Sequence, residues 1–123
     1  MPFDWSDYYA LATKLSEGSG QAEMRSAISR AYYAAFCKAR DFLVFSGETV
    51  PRDGTVHQYV WEAFSGDLSS SGHDKTIEDI GMLLRKKRND ADYIANKYIS
   101  YGEVDLALKR AASIIEDVAK LAP

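Results

Sequence analysis

The sequence has 123 residues, of which 46% are hydrophobic and 27% are charged. This length suits one domain, and the composition is that of a globular protein rather than of a disordered or fibrous chain. The net charge of −3 argues against a protein that coats nucleic acid by bulk electrostatic attraction, although a local basic site remains compatible with it. We therefore expect residues 1–123 to form a single domain around one core.

Three further features bear on where the protein works. The first residues carry no basic segment followed by an apolar run, which is the pattern of a signal peptide. No stretch approaches the roughly 18 consecutive apolar residues that indicate a membrane-spanning helix. The single cysteine, Cys37, lies among alanine and aromatic residues, which favours a buried thiol in a reducing compartment. We expect a cytoplasmic protein that makes no membrane contact.

Apolar residues recur every three or four positions along most of the chain, which is the period of an amphipathic helix. The first predicted helix runs from about residue 4 to residue 17. Its apolar stripe consists of Trp5, Tyr8, Leu11, Ala12 and Leu15. The second helix, from about 21 to 45, is the longest and is rich in alanine, so neighbouring helices can approach it closely. Gly47 is expected to end it.

Three more helices follow in the second half of the chain. A short one is predicted near residues 55–64, a fourth from about 74 to 92, and a fifth from about 103 to 121. The Ser- and Gly-rich segment 65–72 is expected to be a mobile linker. Because strand-like alternation is missing, we predict an all-α fold, an antiparallel up-and-down bundle of four main helices plus a short fifth helix.

Four consecutive basic residues, Arg85-Lys86-Lys87-Arg88, lie on the fourth predicted helix. Helical spacing places Arg85, Arg88 and Asp92 on one face. One interpretation is a solvated face on which Arg88 pairs with Asp92. The other is that Arg88 binds a phosphate, because the planar guanidinium matches the geometry of phosphate oxygens.

The second predicted helix offers a further cluster. Arg30, Tyr32 and Tyr33 lie within one turn of it. The two tyrosines are expected to pack against neighbouring helices, with Arg30 bonded to an acidic side chain or to helix-end carbonyls. Alternatively, Arg30 and Tyr33 line the same cleft as Arg88.

The sequence has two histidines, His57 and His73. A hydrogen-bonded structural role is the first expectation for His57, and a place near Arg88 as a catalytic base is the alternative. His73 lies beside the linker and is expected to be exposed. Neither has a neighbouring Cys or His, and no Gly-rich phosphate loop precedes a helix, so we expect no metal and no cofactor. The acidic pair at 116–117 is expected at the surface.

Two segments resemble those of a known family. Residues 25–36, Arg-Ser-Ala-Ile-Ser-Arg-Ala-Tyr-Tyr-Ala-Ala-Phe, resemble the long second helix of small stand-alone HEPN proteins. Residues 88–93, Arg-Asn-Asp-Ala-Asp-Tyr, are similar to the later helix on which the family has its arginine signature. Trp5 and Tyr8 in the first helix and His57 near the start of the third fit the same pattern. The resemblance spans nearly the whole chain.

The resemblance implies a bundle of four or five helices that forms a homodimer. Many HEPN proteins are metal-independent endoribonucleases, in which an Arg stabilises the phosphate and a His four to six positions later takes part in proton transfer. Others are toxin–antitoxin partners of minimal nucleotidyltransferases, or bind nucleotides or RNA. Here Arg88 and Asn89 match the signature, but Tyr93 stands where the His is expected, and no His follows Arg88.

We therefore predict an HEPN-type homodimer that binds RNA or a nucleotide, or a toxin–antitoxin component with a nucleotidyltransferase partner. The predicted binding residues are Arg88, Asn89, Arg85, Arg30 and Tyr33. One alternative is an endoribonuclease in which Arg88 acts with Tyr93 or His57, although a tyrosine with a pKa near 10 is a poor base at neutral pH. The other alternative is a module that only binds other proteins.

Overall fold

A computed structural model describes residues 2–65 and 76–121. In these ranges the chain forms helices and no strands, which confirms the predicted all-α bundle of four main helices and a short one. The helices are α1 (Ser6–Leu15), α2 (Gln21–Phe45), α3 (Val56–Glu62), α4 (Ile77–Tyr93) and α5 (Tyr101–Leu121). No helix within these ranges is both long and apolar enough to cross a membrane. Most of the predicted linker, and His73, lie outside the described residues.

Helix α2 is the central element of the bundle, because it packs against each of the other four helices. Alanines on its buried faces have no solvent exposure, and their small side chains allow neighbouring helices to approach closely. These alanines are Ala27, Ala31, Ala34, Ala35 and Ala39. Larger side chains from several helices fill the remaining space, including Trp61, Tyr32, Phe64 and Ile28, all of them fully buried. Removing this apolar surface from water is the main stabilising contribution to the bundle.

The ends of the helices are set by local hydrogen bonds. Thr76 caps α4, since its side-chain oxygen accepts a hydrogen bond from the backbone N–H of Asp79 at 3.1 Å. Gly47 follows the end of α2 with φ of +97°, a left-handed conformation that glycine adopts without steric cost. Its N–H donates to the carbonyl of Val44 at 3.0 Å, so the helix ends where the sequence predicted.

The segment between α4 and α5 is fastened to the start of α2. The Arg25 guanidinium donates hydrogen bonds to three carbonyl oxygens near the end of α4. These belong to Ala91, Ile94 and Lys97. The Gln21 side chain donates to the carbonyl of Ile99 at 2.8 Å and accepts from its N–H at 3.0 Å. These contacts hold the last turns of α4, and hence Arg88, against α2.

Asp117 corrects one expectation. The sequence predicted a surface charge, but this residue is only 2% exposed. It lies one turn after the fully buried Ile114 and beside the buried Val118. The buried face of α5 is therefore wider than its apolar residues alone indicate.

Helix α3 approaches α4 closely because α4 has a glycine at the contact. A Cβ atom added to Gly81 would lie 2.3 Å from two carbons of the Trp61 indole. The indole is fully buried, so it has little room to move away. The Trp61–Gly81 contact thus sets how closely α3 and α4 pack.

We predict that Gly81→Ala lowers the thermal stability of the protein. Overpacking a filled core costs about 1–3 kcal/mol, which exceeds the gain of up to roughly 1 kcal/mol from replacing a helical glycine with alanine. Circular dichroism melts measure the effect. Gly102→Ala in α5 is the control, because its added Cβ meets only the Ser100 hydroxyl at 3.9 Å. An unchanged or higher Tm for Gly81→Ala would contradict the packing argument.

Candidate functional site

The Arg88 guanidinium lies at the centre of a hydrogen-bonded cluster between α2 and α4. Its Nε donates to Asp92 Oδ2 at 2.9 Å, and its Nη1 donates to Asn89 Oδ1 at 2.9 Å. Its Nη2 donates to the hydroxyl oxygen of Tyr33 at 2.5 Å and to that of Tyr93 at 3.4 Å. The pairing with Asp92 is one of the two interpretations that the sequence left open.

These contacts make Arg88 a fixed charge rather than a mobile one. They use the Nε–H, one Nη1–H and both Nη2–H groups, so one of the five guanidinium N–H groups is left. The side chain is 11% exposed, and the guanidinium also lies 4.9 Å from the Tyr33 ring centroid and 5.5 Å from that of Tyr93. Tyr93 itself is 70% exposed. The ring of Tyr93 is therefore exposed to solvent and lies against the hydrogen-bonded Arg88 guanidinium.

Arg30 lies one turn before Tyr33 on α2 and has a different environment. Its guanidinium carbon is 4.7 Å from the Tyr8 ring centroid and 5.3 Å from that of Tyr33. Among the described residues it forms no ion pair and no side-chain hydrogen bond, so the acidic or carbonyl partner that one interpretation expected is not found there. Cation–π contacts of this kind stabilise a guanidinium without neutralising its charge. Tyr33 contacts both arginines and thereby joins them.

Arg30 also lines an open groove between α1 and α2. The groove is formed by Trp5, Tyr8, Arg30, Tyr33, Phe36, Cys37 and Arg40. The sequence-based site missed Trp5, Tyr8 and Arg40. Positions 30, 33, 37 and 40 follow helical spacing, which places two arginines and a tyrosine on one face of α2 and is the signal that could have found this part of the groove.

The structure places His57 beside the cluster. Its Nδ1 is 2.7 Å from the Tyr32 hydroxyl, and the Trp61 Nε1–H donates to that same hydroxyl at 3.1 Å. Because the Tyr32 oxygen accepts from Trp61, we assign its own proton to a hydrogen bond with His57 Nδ1. The neutral imidazole then carries its hydrogen on Nε2. The ring stacks on Phe36 at a centroid distance of 4.3 Å.

The surroundings of His57 and Tyr33 move both pKa values away from neutrality. Burial, and then the positive charges of Arg85 and Arg88, lower the pKa of His57 from 6.5 to about 4. Burial raises the pKa of the Tyr33 hydroxyl above its usual value of 10. A general base works best when its pKa is near the working pH. His57 and Tyr33 are therefore suited to donating hydrogen bonds rather than to accepting a proton.

The structure brings most of the predicted site residues together. Arg88, Asn89, Tyr33 and Tyr93 are in direct contact, and Arg30 joins them through the Tyr33 ring. His57 lies next to Tyr33, with ring centroids 6.0 Å apart. Arg85 lies one turn before Arg88 on α4, and its Nε is buried without a hydrogen-bond partner among the described residues. In that same part of the chain, no three His, Cys, Asp or Glu side chains are grouped as metal ligands would be.

We predict that His57 makes the protein less stable as the pH falls from about 6.5 to about 4. The pKa of His57 is lowered in the folded state, so in this window the unfolded state binds the proton first and stability is lost. Tm values measured across the window for the wild type and for His57→Gln test this. The wild type should lose more stability than the variant, and parallel curves would contradict the assignment.

Comparison with known proteins places the chain in a family. The model of the HEPN domain matches residues 6–121, which extend from the first residue of α1 to the last residue of α5. No curated protein and no solved structure matches the chain. The matched region contains the whole cluster around Arg88, as well as Arg30, Arg85 and His57. The chain therefore belongs to the HEPN domain family.

Proposed function

We propose that the protein binds RNA or a nucleotide through the surface formed by Arg30, Tyr33, Arg88, Asn89 and Tyr93, here called the Arg30–Arg88 surface. Membership of the HEPN family supports a role of this class. One observation supports the proposed surface most directly. The Arg30 guanidinium is half-buried against two tyrosine rings and has no carboxylate partner among the described residues.

Arg30 is proposed to contact a phosphate. Its guanidinium has the planar arrangement of donors that fits two phosphate oxygens. Arg88 shares Tyr33 with it but is already paired with Asp92 at 2.9 Å. A ligand phosphate would have to compete with that carboxylate for Arg88, whereas Arg30 has no such competitor among the described residues. Arg88 is therefore proposed to orient Tyr33 and Tyr93.

The remaining members of the surface suit the bases of a nucleic acid. The exposed ring of Tyr93 can stack on a base, a contact that binds single-stranded nucleic acid with little sequence preference. Asn89 Oδ1 accepts from Arg88, which leaves the amide nitrogen of Asn89 as a hydrogen-bond donor. On α4, Asn89 is next to Arg88 and Tyr93 lies five residues after it.

We propose that the protein acts as a homodimer, as the HEPN resemblance implies. Several large side chains around the end of α4 and the start of α5 are exposed, and such residues are enriched at protein interfaces. They are Ile94, Tyr98 and Tyr101. A sedimentation experiment at micromolar concentration should give a mass near twice 13.7 kDa. A monomer at that concentration would contradict the proposal.

Binding without cleavage is proposed because neither His57 nor Tyr33, two candidate proton acceptors beside Arg88, is suited to accept a proton at neutral pH. The pKa of His57 is lowered to about 4, and the pKa of Tyr33 is raised above its usual value. Total RNA incubated with the purified protein in EDTA should therefore stay intact. Cleavage that Arg88→Ala abolishes would instead identify an endoribonuclease with an altered acid–base group.

We predict that Arg30→Ala weakens the binding of a short single-stranded RNA by roughly tenfold or more, because a charge-assisted hydrogen bond contributes about 1.5–3 kcal/mol. Fluorescence anisotropy at fixed salt concentration measures the dissociation constant. Arg52→Ala, which removes one positive charge from an exposed residue between α2 and α3, is the matched control and should change binding much less. Equal losses in both variants would mean that binding depends on overall charge rather than on this surface.

Arg88→Ala is a second arm of the same experiment. It should weaken RNA binding and also lower the Tm, because Asp92 and Tyr33 lose their shared partner. Its binding is therefore compared well below its own Tm. Unchanged binding of both RNA and AMP by Arg88→Ala would remove Arg88 from the proposed surface.

A further inference from the structure

Arg85, on the part of α4 that follows the contact with α3, has neither a hydrogen-bond acceptor nor a carboxylate for its guanidinium among the described residues. Arg85 Nε is buried and makes no hydrogen bond there, and no carboxylate within residues 2–65 and 76–121 forms an ion pair with the Arg85 side chain. A buried donor without a partner costs free energy, so native proteins have few of them, and each one calls for an explanation. Arg88, one turn later on α4, forms an ion pair with the carboxylate of Asp92, whereas Arg85 forms none with the described residues.

The register of the two helices brings His57 towards Arg85. Trp61 on α3 packs against Gly81 on α4. His57 lies one turn before Trp61, and Arg85 lies one turn after Gly81. The Tyr32 hydroxyl is 2.7 Å from His57 Nδ1, and the Arg88 guanidinium lies 5.8 Å from the Tyr32 ring centroid, so His57 is close to the part of α4 that holds Arg88 and, one turn earlier, Arg85. The two helices therefore run antiparallel at this contact, and His57 faces the turn of α4 that contains Arg85.

Two kinds of donor are available at this contact. His57 Nδ1 is occupied by the Tyr32 hydroxyl at 2.7 Å, so the Nε2–H group is the one that remains to donate. Arg85 adds a guanidinium with a full positive charge. Within residues 2–65 and 76–121, no carboxylate forms an ion pair with Arg85. An anionic ligand would find hydrogen-bond donors and uncompensated positive charge at this contact.

We propose that Arg85 and His57 form a subsite for a phosphate monoester, the terminal phosphate of a nucleotide or RNA bound at the Arg30–Arg88 surface. The subsite rests on the proposed function, because Arg88 belongs to that surface and lies one turn from Arg85. A terminal phosphate fits better than a backbone phosphate, since the end of a ligand can reach a half-buried guanidinium that a strand passing over the surface cannot. A monoester also has more negative charge and more free oxygens than a phosphodiester.

The test compares one short RNA with a 5′-phosphate, with a 3′-phosphate and with neither, together with AMP and adenosine. In the wild type, a terminal phosphate should increase affinity roughly tenfold or more, the effect of one charge-assisted hydrogen bond. Arg85→Gln should remove this increase, and His57→Phe, which retains an aromatic ring but has no N–H group, should reduce it. Lys86→Gln removes the same charge from an exposed neighbour and should leave the increase intact.

The possible outcomes distinguish a failure of the Arg85–His57 phosphate subsite from a failure of RNA binding at the Arg30–Arg88 surface. RNA binding that gains nothing from a terminal phosphate, or an increase that survives Arg85→Gln, would overturn the subsite and leave the proposed function standing. If no RNA binds but AMP binds better than adenosine in an Arg85-dependent way, the RNA surface is wrong and the phosphate subsite is supported. If neither RNA nor AMP binds, both proposals are overturned.

A stability measurement without ligand gives an independent check. Because the Arg85 guanidinium makes no hydrogen bond among the described residues, Arg85→Met should keep or raise the Tm, whereas Arg88→Met should lower it. A fall in the Tm of Arg85→Met comparable to that of Arg88→Met would show that the chain itself satisfies Arg85. That result would overturn the subsite.

Discussion

The candidate site depends on the hydrogen bond between the Tyr33 hydroxyl and Arg88 Nη2, whose heavy atoms are 2.5 Å apart. It joins the middle of α2 to the second half of α4, two segments separated by 55 positions in the chain. The Tyr33 ring at the same time supports Arg30. Without this tyrosine, the two arginines would belong to separate surfaces. Its position in turn depends on the alanines of α2, which let the neighbouring helices pack closely enough for the hydroxyl to reach.

Three arginines near one another have three different environments, and this difference determines what each can do. Arg88 is held by Asp92, Asn89 and two tyrosines, so its charge is fixed and largely compensated. Arg30 rests on aromatic rings that stabilise the guanidinium but leave its charge in place. Arg85 has a buried nitrogen without a partner among the described residues. A protein with a net charge of −3 can therefore still present a local positive surface to an anion.

The family resemblance suggests a ribonuclease with a proton acceptor near Arg88, whereas the contacts of His57 suit it to donate a hydrogen bond. The HEPN pattern predicts a proton-transfer group near Arg88, with Tyr93 or His57 as candidates. The contact between Trp61, Tyr32 and His57 instead orients a neutral imidazole as a hydrogen-bond donor. A donor beside two guanidinium groups is suited to hold an anion rather than to remove a proton from a hydroxyl. This chemistry is why binding, rather than cleavage, is the proposed function.

The amino-acid pattern alone predicts the helices, the small-residue face of α2 and the face of α4 shared by Arg85, Arg88 and Asp92. Helical periodicity is the reason, because it decides which residues lie on one side of a helix. Three other features depend on how the helices pack: Tyr33 contacts Arg88, Arg85 Nε has no partner among the described residues, and Asp117 is buried. Periodicity does not say which faces meet, or how each helix is rotated against its neighbour. Those relations depend on packing between residues far apart in the chain, such as Trp61 against Gly81, and on the volumes that the core must fill.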